Sequence, residues 1–292
     1  MQYYQIGKTA VITEPESFDI EQTLECGQCF RFRRLSKPGC GWKEYAVLAF
    51  SKVLFVRQTA EKIVFYPSTM LDFKNYWSGY FDLARDYGII KTFLSGRGKN
   101  MRQAIETAPG IRILRQDPWE CLISFIISQN NNIPRIKKNI ESISRAFGDP
   151  IGGGFHCFPT AERLCKASID ELLECKIGFR AKYILDAART IARKEADLAS
   201  IDKLPTDEAR EALIKFSGVG PKIADCTLLF AYGRTEVFPT DVWIKRIMSQ
   251  TYFSGGDASA NEIRSFAAKE FGSFAGFAQQ YLYAGTRQMS PV

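Results

Sequence analysis

The sequence predicts an α+β protein: an N-terminal antiparallel β-sheet domain with helices (residues 1–105), followed by an all-α domain (residues 106–292). Three observations predict it. Apolar and polar residues partly alternate in "KEYAVLAFSKVLFVRQ" and "KIVFYPS", both rich in Val, Phe and Tyr, which is the period of strands joined by hairpins. From Arg102 onward apolar residues recur at helical spacing instead. Short polar breaks separate the segments, with no internal repeat and no low-complexity run.

Taken in order, "KPGCGW" (37–42) is a turn-rich connector. Residues 71–94 mix aromatics with charges and begin the helical part. "DPWECLISFIISQ" opens with Asp117 as cap and Pro118 at the first helical position. Its apolar run is broad enough for a helix buried on most sides. "TAERLCKA", "SIDELLECK", "AKYILDAARTIARKEADL" and "TDEAREALIKF" read as successive helices. "TEVFPTDVWIKRIMSQ", "SANEIRSFAAKEFG" and "FAGFAQQYLYAGTRQ" complete the series.

Composition narrows the function classes. The 292 residues, 46% hydrophobic and 24% charged, suit two ordinary cores. No apolar run reaches the roughly 18 residues of a membrane span, and the N-terminus lacks a secretion signal, so an intracellular protein is expected. A net charge of +7 suits a polyanionic partner. Cys26 and Cys29 form a CxxC, but no second pair follows and His156 is the one histidine. The eight cysteines therefore read as reduced, buried thiols, and no metal site is expected.

The most informative stretch is "TDEAREALIKF-SGVG-PKIADCTLLFA" (about 206–231), a helix, a tight turn and a second helix. Thr206 is expected to cap the first helix and Pro221 to start the second. Gly218, Val219 and Gly220 put backbone amides at a helix N-terminus, a ready phosphate site for a nucleic-acid backbone. The turn alone fits a hairpin that binds nothing equally well. Lys222 stands just past it, where the helix already carries partial positive charge. Partly desolvated there, its ammonium is disfavoured and its pKa is expected to fall, giving a nucleophilic amine. Snorkelling to solvent is the plainer alternative. Asp241, 19 residues on in "VFPTDVW" (237–243), begins another helix, as a plain N-cap or as a carboxylate oriented to stabilise positive charge.

"SGVGPKIADC…VFPTDVW" resembles the helix-hairpin-helix and Gly/Pro-Asp motif of DNA glycosylases. "ECGQCFRF" (25–32), "RILRQDPWECLISFIISQNNNIPRI" (112–136), "GFRAKY" (178–183) and "GFAQQYLYAG" extend the likeness over most of the chain. They narrow it to the bifunctional 8-oxoguanine DNA glycosylase/AP lyases. The resemblance implies base excision repair on double-stranded DNA containing 8-oxoguanine, by a base flipped out of the duplex. Lys222 would attack C1′ and form a Schiff base, β-elimination would then nick the strand, and Asp241 would stabilise the cationic sugar. It further implies a base pocket: Gly27 accepting the N7–H, Cys226 packing on the base face, Gln279 reading the pairing edge and Tyr283 stacking opposite. Asn130 would fill the vacated space, Arg135 and Arg180 would donate to the orphan cytosine, and Phe179 would wedge beside it.

The chain departs from the eukaryotic pattern at Phe179, Tyr283, Trp243 and Pro134, where tyrosine, phenylalanine, histidine and a small residue are usual. Pro134 is expected to move Arg135, and opposite-base preference to relax. No metal or redox cofactor is needed; a monovalent cation at the hairpin turn stays open. A monomer is expected, cytoplasmic and nucleoid-associated if prokaryotic. The alternatives are a helix-hairpin-helix glycosylase for another damaged base, or a non-catalytic DNA-binding module.

Overall fold

Strand-forming alternation at the N-terminus produces one six-stranded antiparallel sheet, ordered β1-β2-β6-β5-β4-β3. The strands are β1 (Gln2–Ile6), β2 (Thr9–Thr13), β3 (Phe32–Arg34), β4 (Lys43–Ala49), β5 (Lys52–Gln58) and β6 (Lys62–Tyr66). The computed structural model describes residues 2–13 and 15–289, with side chains over 3–13 and 15–285. Register pairs Val47 with Leu54 and Ile12 with Ile63. Alternate residues therefore share one face, and Tyr45, Val47, Leu54, Val56, Ile63 and Phe65 form a core with Phe73, Trp77 and Phe81. Phe50 and Ser51 turn β4 into β5 with φ of 53° and 56°, both left-handed, as a two-residue hairpin that follows strand twist requires.

The labelled helices are α1 (Ile20–Glu25), α2 (Tyr87–Ser95), α3 (Lys99–Thr107), α4 (Pro118–Ser128), α5 (Ile133–Phe147) and α6 (Arg180–Ala192). They continue with α7 (Thr206–Ile214), α8 (Pro221–Phe230), α9 (Val242–Tyr252), α10 (Ala260–Phe271) and α11 (Ala275–Met289). Asp117 caps α4 as expected, accepting from the Glu120 amide, and residues 121–127 are all buried.

The boundary expected near residue 105 falls at the end of α3. The apolar residues of α2 and α3, including Ile90, Leu94, Met101 and Ala104, already belong to the helical core. α11 crosses α3 so closely that a β-carbon on Gly285 would lie 2.7 Å from Ala104 Cα. Two local expectations need correction. Pro205, not Thr206, occupies the N-cap position of α7; Thr206 is its first helical residue and its hydroxyl donates to Glu236 instead. "AKYILDAARTIARKEADL" is not one helix, because Lys194 turns left-handed (φ 59°) after α6 and Asp197 caps a new short helix, Leu198–Ile201. Among the described residues no helix is long and apolar enough to cross a membrane.

Candidate active site

A cavity of about 360 Å³ opens where the loop after α1, the C-terminal end of α4 and the starts of α5, α8 and α9 meet α11. Its wall contains Gly27, Lys222, Cys226, Asp241, Gln279 and Tyr283, six residues that lie up to 256 positions apart (283 − 27) in the chain.

Lys222 is the second residue of α8 and half-buried, with its Nζ 5.1 Å from the Phe125 ring centroid. Pro221 starts that helix at no cost, since the first amide has no intrahelical acceptor. Cys226 follows one turn later on the same face and is 4% exposed. Burial, opposed by the Lys222 ammonium, pushes its thiol up to about 11. It is a neutral, polarisable wall at ordinary pH.

Asp241 serves as a helix cap without leaving the cavity wall. It is the N-cap of α9, accepting from the Ile244 amide at 2.8 Å, and it also faces the cavity. Asp241 and Lys222 line the same cavity, and among the described residues no ion pair joins them.

Gly27 adopts φ +80°, and a β-carbon there would stand 3.1 Å from two atoms of the Tyr283 side chain. The loop that carries it is pinned from both sides. The Gln28 amide donates to the carbonyls of Thr23 (2.7 Å) and Arg112 (2.8 Å) and accepts from the Leu114 amide (2.9 Å). Gln280 donates to the Cys26 carbonyl at 2.9 Å. The Cys26 thiol is buried beneath and pushed up by that burial to about 12. Gln279 is 6% exposed, and its Oε1 has no hydrogen-bond partner among the described residues. A buried acceptor left unmade costs free energy unless a ligand supplies the donor.

The second group of expected residues lies outside the cavity wall. Asn130 is exposed in a left-handed turn (φ 46°) between α4 and α5, and Phe179 is 52% exposed just before α6, edge-on to Tyr183. Arg135 is exposed in the first turn of α5, its amide capped by Asn132 at 3.0 Å, and Pro134 occupies the same first turn. Arg180 differs from expectation. It is 3% exposed and donates to the carbonyls of Gln129 (3.0 Å), Asn130 (3.0 Å) and Ile177 (3.1 Å), so its donors hold the Asn130 turn rather than face outward.

In the hairpin turn Gly218 has φ +77°, and a β-carbon would lie 2.5 Å from the Tyr183 ring. Gly220 caps α8 with nothing within 4 Å of its β position, leaving its backbone approachable. Val219 departs from the expected phosphate role: it is 5% exposed and its amide donates to Phe216 at 3.0 Å, making it the apolar plug of the turn. Sequence reasoning missed Gln280 and Asn131 and noted Trp243 only as a departure, yet all three line the cavity. The "QQ" and "NNN" runs were the available signals, but only tertiary packing says which member faces inward.

A pocket bounded by a helix-hairpin-helix lysine and a helix-capping aspartate defines a DNA base-excision architecture. The HhH-GPD superfamily of base excision DNA repair proteins matches residues 123–272, half of the chain, and the chain belongs to that superfamily. Residues 10–122 match the N-terminal domain of 8-oxoguanine DNA glycosylase. A probable N-glycosylase/DNA lyase of Methanothermobacter thermautotrophicus is 37% identical over 231 residues, 71% of this chain and 73% of that protein. The N-glycosylase/DNA lyase of Saccharomyces cerevisiae is 36% identical over 212 residues, 60% of this chain and 56% of that protein. A Clostridium acetobutylicum 8-oxoguanine glycosylase/lyase, solved with double-stranded DNA containing cytosine opposite 8-oxoguanine, superposes with a TM-score of 0.93. It is 41% identical, with 99% of this chain and 98% of that one covered.

Proposed function

We propose that the protein is a bifunctional DNA glycosylase that excises 8-oxoguanine from double-stranded DNA in base excision repair and then cleaves the strand. The observation that carries this is the placement of Lys222, Asp241 and an unsatisfied Gln279 acceptor on one cavity wall. A base cannot be reached in the stack, so it is turned out into the cavity. The Lys222 amine forms a bond to C1′ as the C1′–N9 bond breaks, and the base departs with the electron pair and takes up a proton. Asp241 stabilises the positive charge on the sugar and on the lysine nitrogen as it develops. The nitrogen lone pair then expels O4′ from C1′, a proton passes from nitrogen to O4′, and the opened sugar is left as a Schiff base. Loss of a C2′ proton then expels the 3′ phosphate, nicking the strand.

Gln279 accepts from the donors of the guanine pairing edge, and the Gly27 carbonyl accepts the N7–H that guanine itself lacks. Cys226 and Tyr283 close on the two faces of the base. Asn130, Arg135 and Phe179 meet the orphan cytosine and its neighbours, with Arg180 behind them. The approachable backbone of Gly220, at the start of α8, receives a phosphate. The lysine supplies the electron sink, so the chemistry asks for no cofactor. A monomer acting on intracellular DNA, beside the nucleoid in a prokaryote, suits the reading.

The test incubates the protein with an 8-oxoguanine:cytosine duplex and borohydride, which reduces the Schiff base to a stable adduct. Wild-type protein is expected to be trapped and Lys222→Gln is not. Excision by wild type without any adduct would instead make the enzyme hydrolytic.

A further inference from the structure

Two tips proposed to probe the duplex, Asn130 and Phe179, lie 49 residues apart (179 − 130), and buried polar side chains bond the segments that carry them. Arg180 is one of them. The other is Asn139 on α5, 3% exposed and not on the cavity wall. Its Nδ2 donates to the carbonyls of Cys175 and Lys176, both at 3.1 Å, and its Oδ1 accepts from Asn131 Nδ2 at 3.3 Å. Asn131 in turn donates to the Ile127 carbonyl at 3.1 Å, where α4 ends, and lines the cavity. One amide thus bonds the turn that carries Asn130 and the loop that leads to Phe179.

We propose that Asn139 is a positioning residue that locks the Asn130 turn and the 175–179 loop into a single unit, on which displacement of the orphan base depends. The physical argument is that both segments contain left-handed residues outside regular ladders: Asn130 (φ 46°), Lys176 (φ 59°) and Gly178 (φ 59°). Such backbones persist where surrounding bonds over-determine them. Without the Asn139 donors, the carbonyls of Cys175 and Lys176 lose the bonds that tie the loop to α5, and the buried Cys175 carbonyl is satisfied by moving toward water. The loop and Phe179 then move independently of Asn130. Expelling a base takes force from both prongs at once, because each alone leaves the orphan free to stack back.

The inference rests on the glycosylase reading, and the experiment separates the two. Asn139→Leu keeps the side-chain size and removes all three hydrogen bonds; Asn139→Asp keeps the acceptor and removes both donors. Single-turnover excision per folded molecule is measured on 8-oxoguanine paired with cytosine, and on 8-oxoguanine facing a tetrahydrofuran abasic analogue, where no orphan base needs displacing. Both variants are expected to lose about tenfold on the first duplex and retain the wild-type rate on the second. Equal loss on both duplexes, or loss on neither, overturns the proposal. Amide hydrogen exchange in the free protein gives an independent reading: exchange of residues 129–131 and 175–179 should rise together in the variants. A rise in one segment only, or in none, also overturns it. Wild-type protein that excises from neither duplex would end the glycosylase reading, and the exchange result would still decide the role of Asn139.

Discussion

The side chain of Tyr283 lies across Gly27 so closely that a β-carbon on the glycine would stand 3.1 Å from both Cε1 and Oη of the tyrosine. One element of the α+β domain and the last helix of the chain thereby close the same side of the cavity. Gly27→Ala meets two penalties, a left-handed φ of +80° and this contact. The backbone part costs about 1–2 kcal/mol, which lowers stability without unfolding the protein. The displaced Tyr283 ring takes space from the base. Excision of 8-oxoguanine is expected to fall about 100-fold, while borohydride trapping on a preformed abasic site, which needs no base in the cavity, stays near wild type. Equal loss in both assays would place Gly27 in the fold and not in base recognition.

Asp241→Asn separates the cap from the charge. Asparagine is as good an N-cap, and its oxygen can still accept from Ile244, so the melting temperature should stay within a few degrees. With the negative charge gone, excision should slow by about 100-fold or more. A collapsed melting temperature with an unchanged rate per folded molecule would make Asp241 only a cap.

Gln279→Leu removes a buried acceptor that has no partner among the described residues. The melting temperature is therefore expected to hold or rise, since an unsatisfied buried polar group costs about 1–3 kcal/mol. Affinity for the 8-oxoguanine duplex in a binding titration should nevertheless drop about tenfold or more. A stability loss without an affinity loss would assign Gln279 to packing.

The Cys226 thiol predicts a pH dependence of stability. Its folded value is raised from 9.0 to about 11, mainly by burial. Below pH 9 both folded and unfolded forms hold the proton and nothing is lost. Between 9 and 11 the folded form holds a proton that the unfolded form has released, so stability falls as pH rises, by up to about 1.4 kcal/mol per unit. Chemical denaturation at pH 8 and pH 10 should show a smaller loss for Cys226→Ala than for wild type. Identical losses would mean that the thiol titrates normally in the folded protein.

The motifs whose geometry is local were legible before any coordinates. Asp117 and Pro118 at the start of α4 and Pro221 at the start of α8 follow from rules that span four or five residues. The same rules erred at Thr206, because the preceding proline already supplied the extended N-cap backbone and the hydroxyl found Glu236. They could not assign Arg180 or Val219 either. An arginine beside an exposed aromatic looks like a ligand-facing cation until the carbonyls of Gln129 and Asn130, 51 and 50 positions away, are brought beneath it. Likewise the amide of Val219 looked available until the turn closed it onto Phe216.

By itself the sequence determined the two kinds of secondary structure, the hairpin, and the pairing of a lysine and an aspartate with successive helix starts, because periodicity, capping and glycine conformations act over short chain distances. Only the tertiary structure decided that Gly27, Gln279 and Tyr283 share a wall with Lys222 and Asp241, and that Arg180 and Asn139 bind loops instead of facing outward. The reason is physical: burial and long-range hydrogen bonds depend on which segments pack together, and nothing in a short window of residues carries that information.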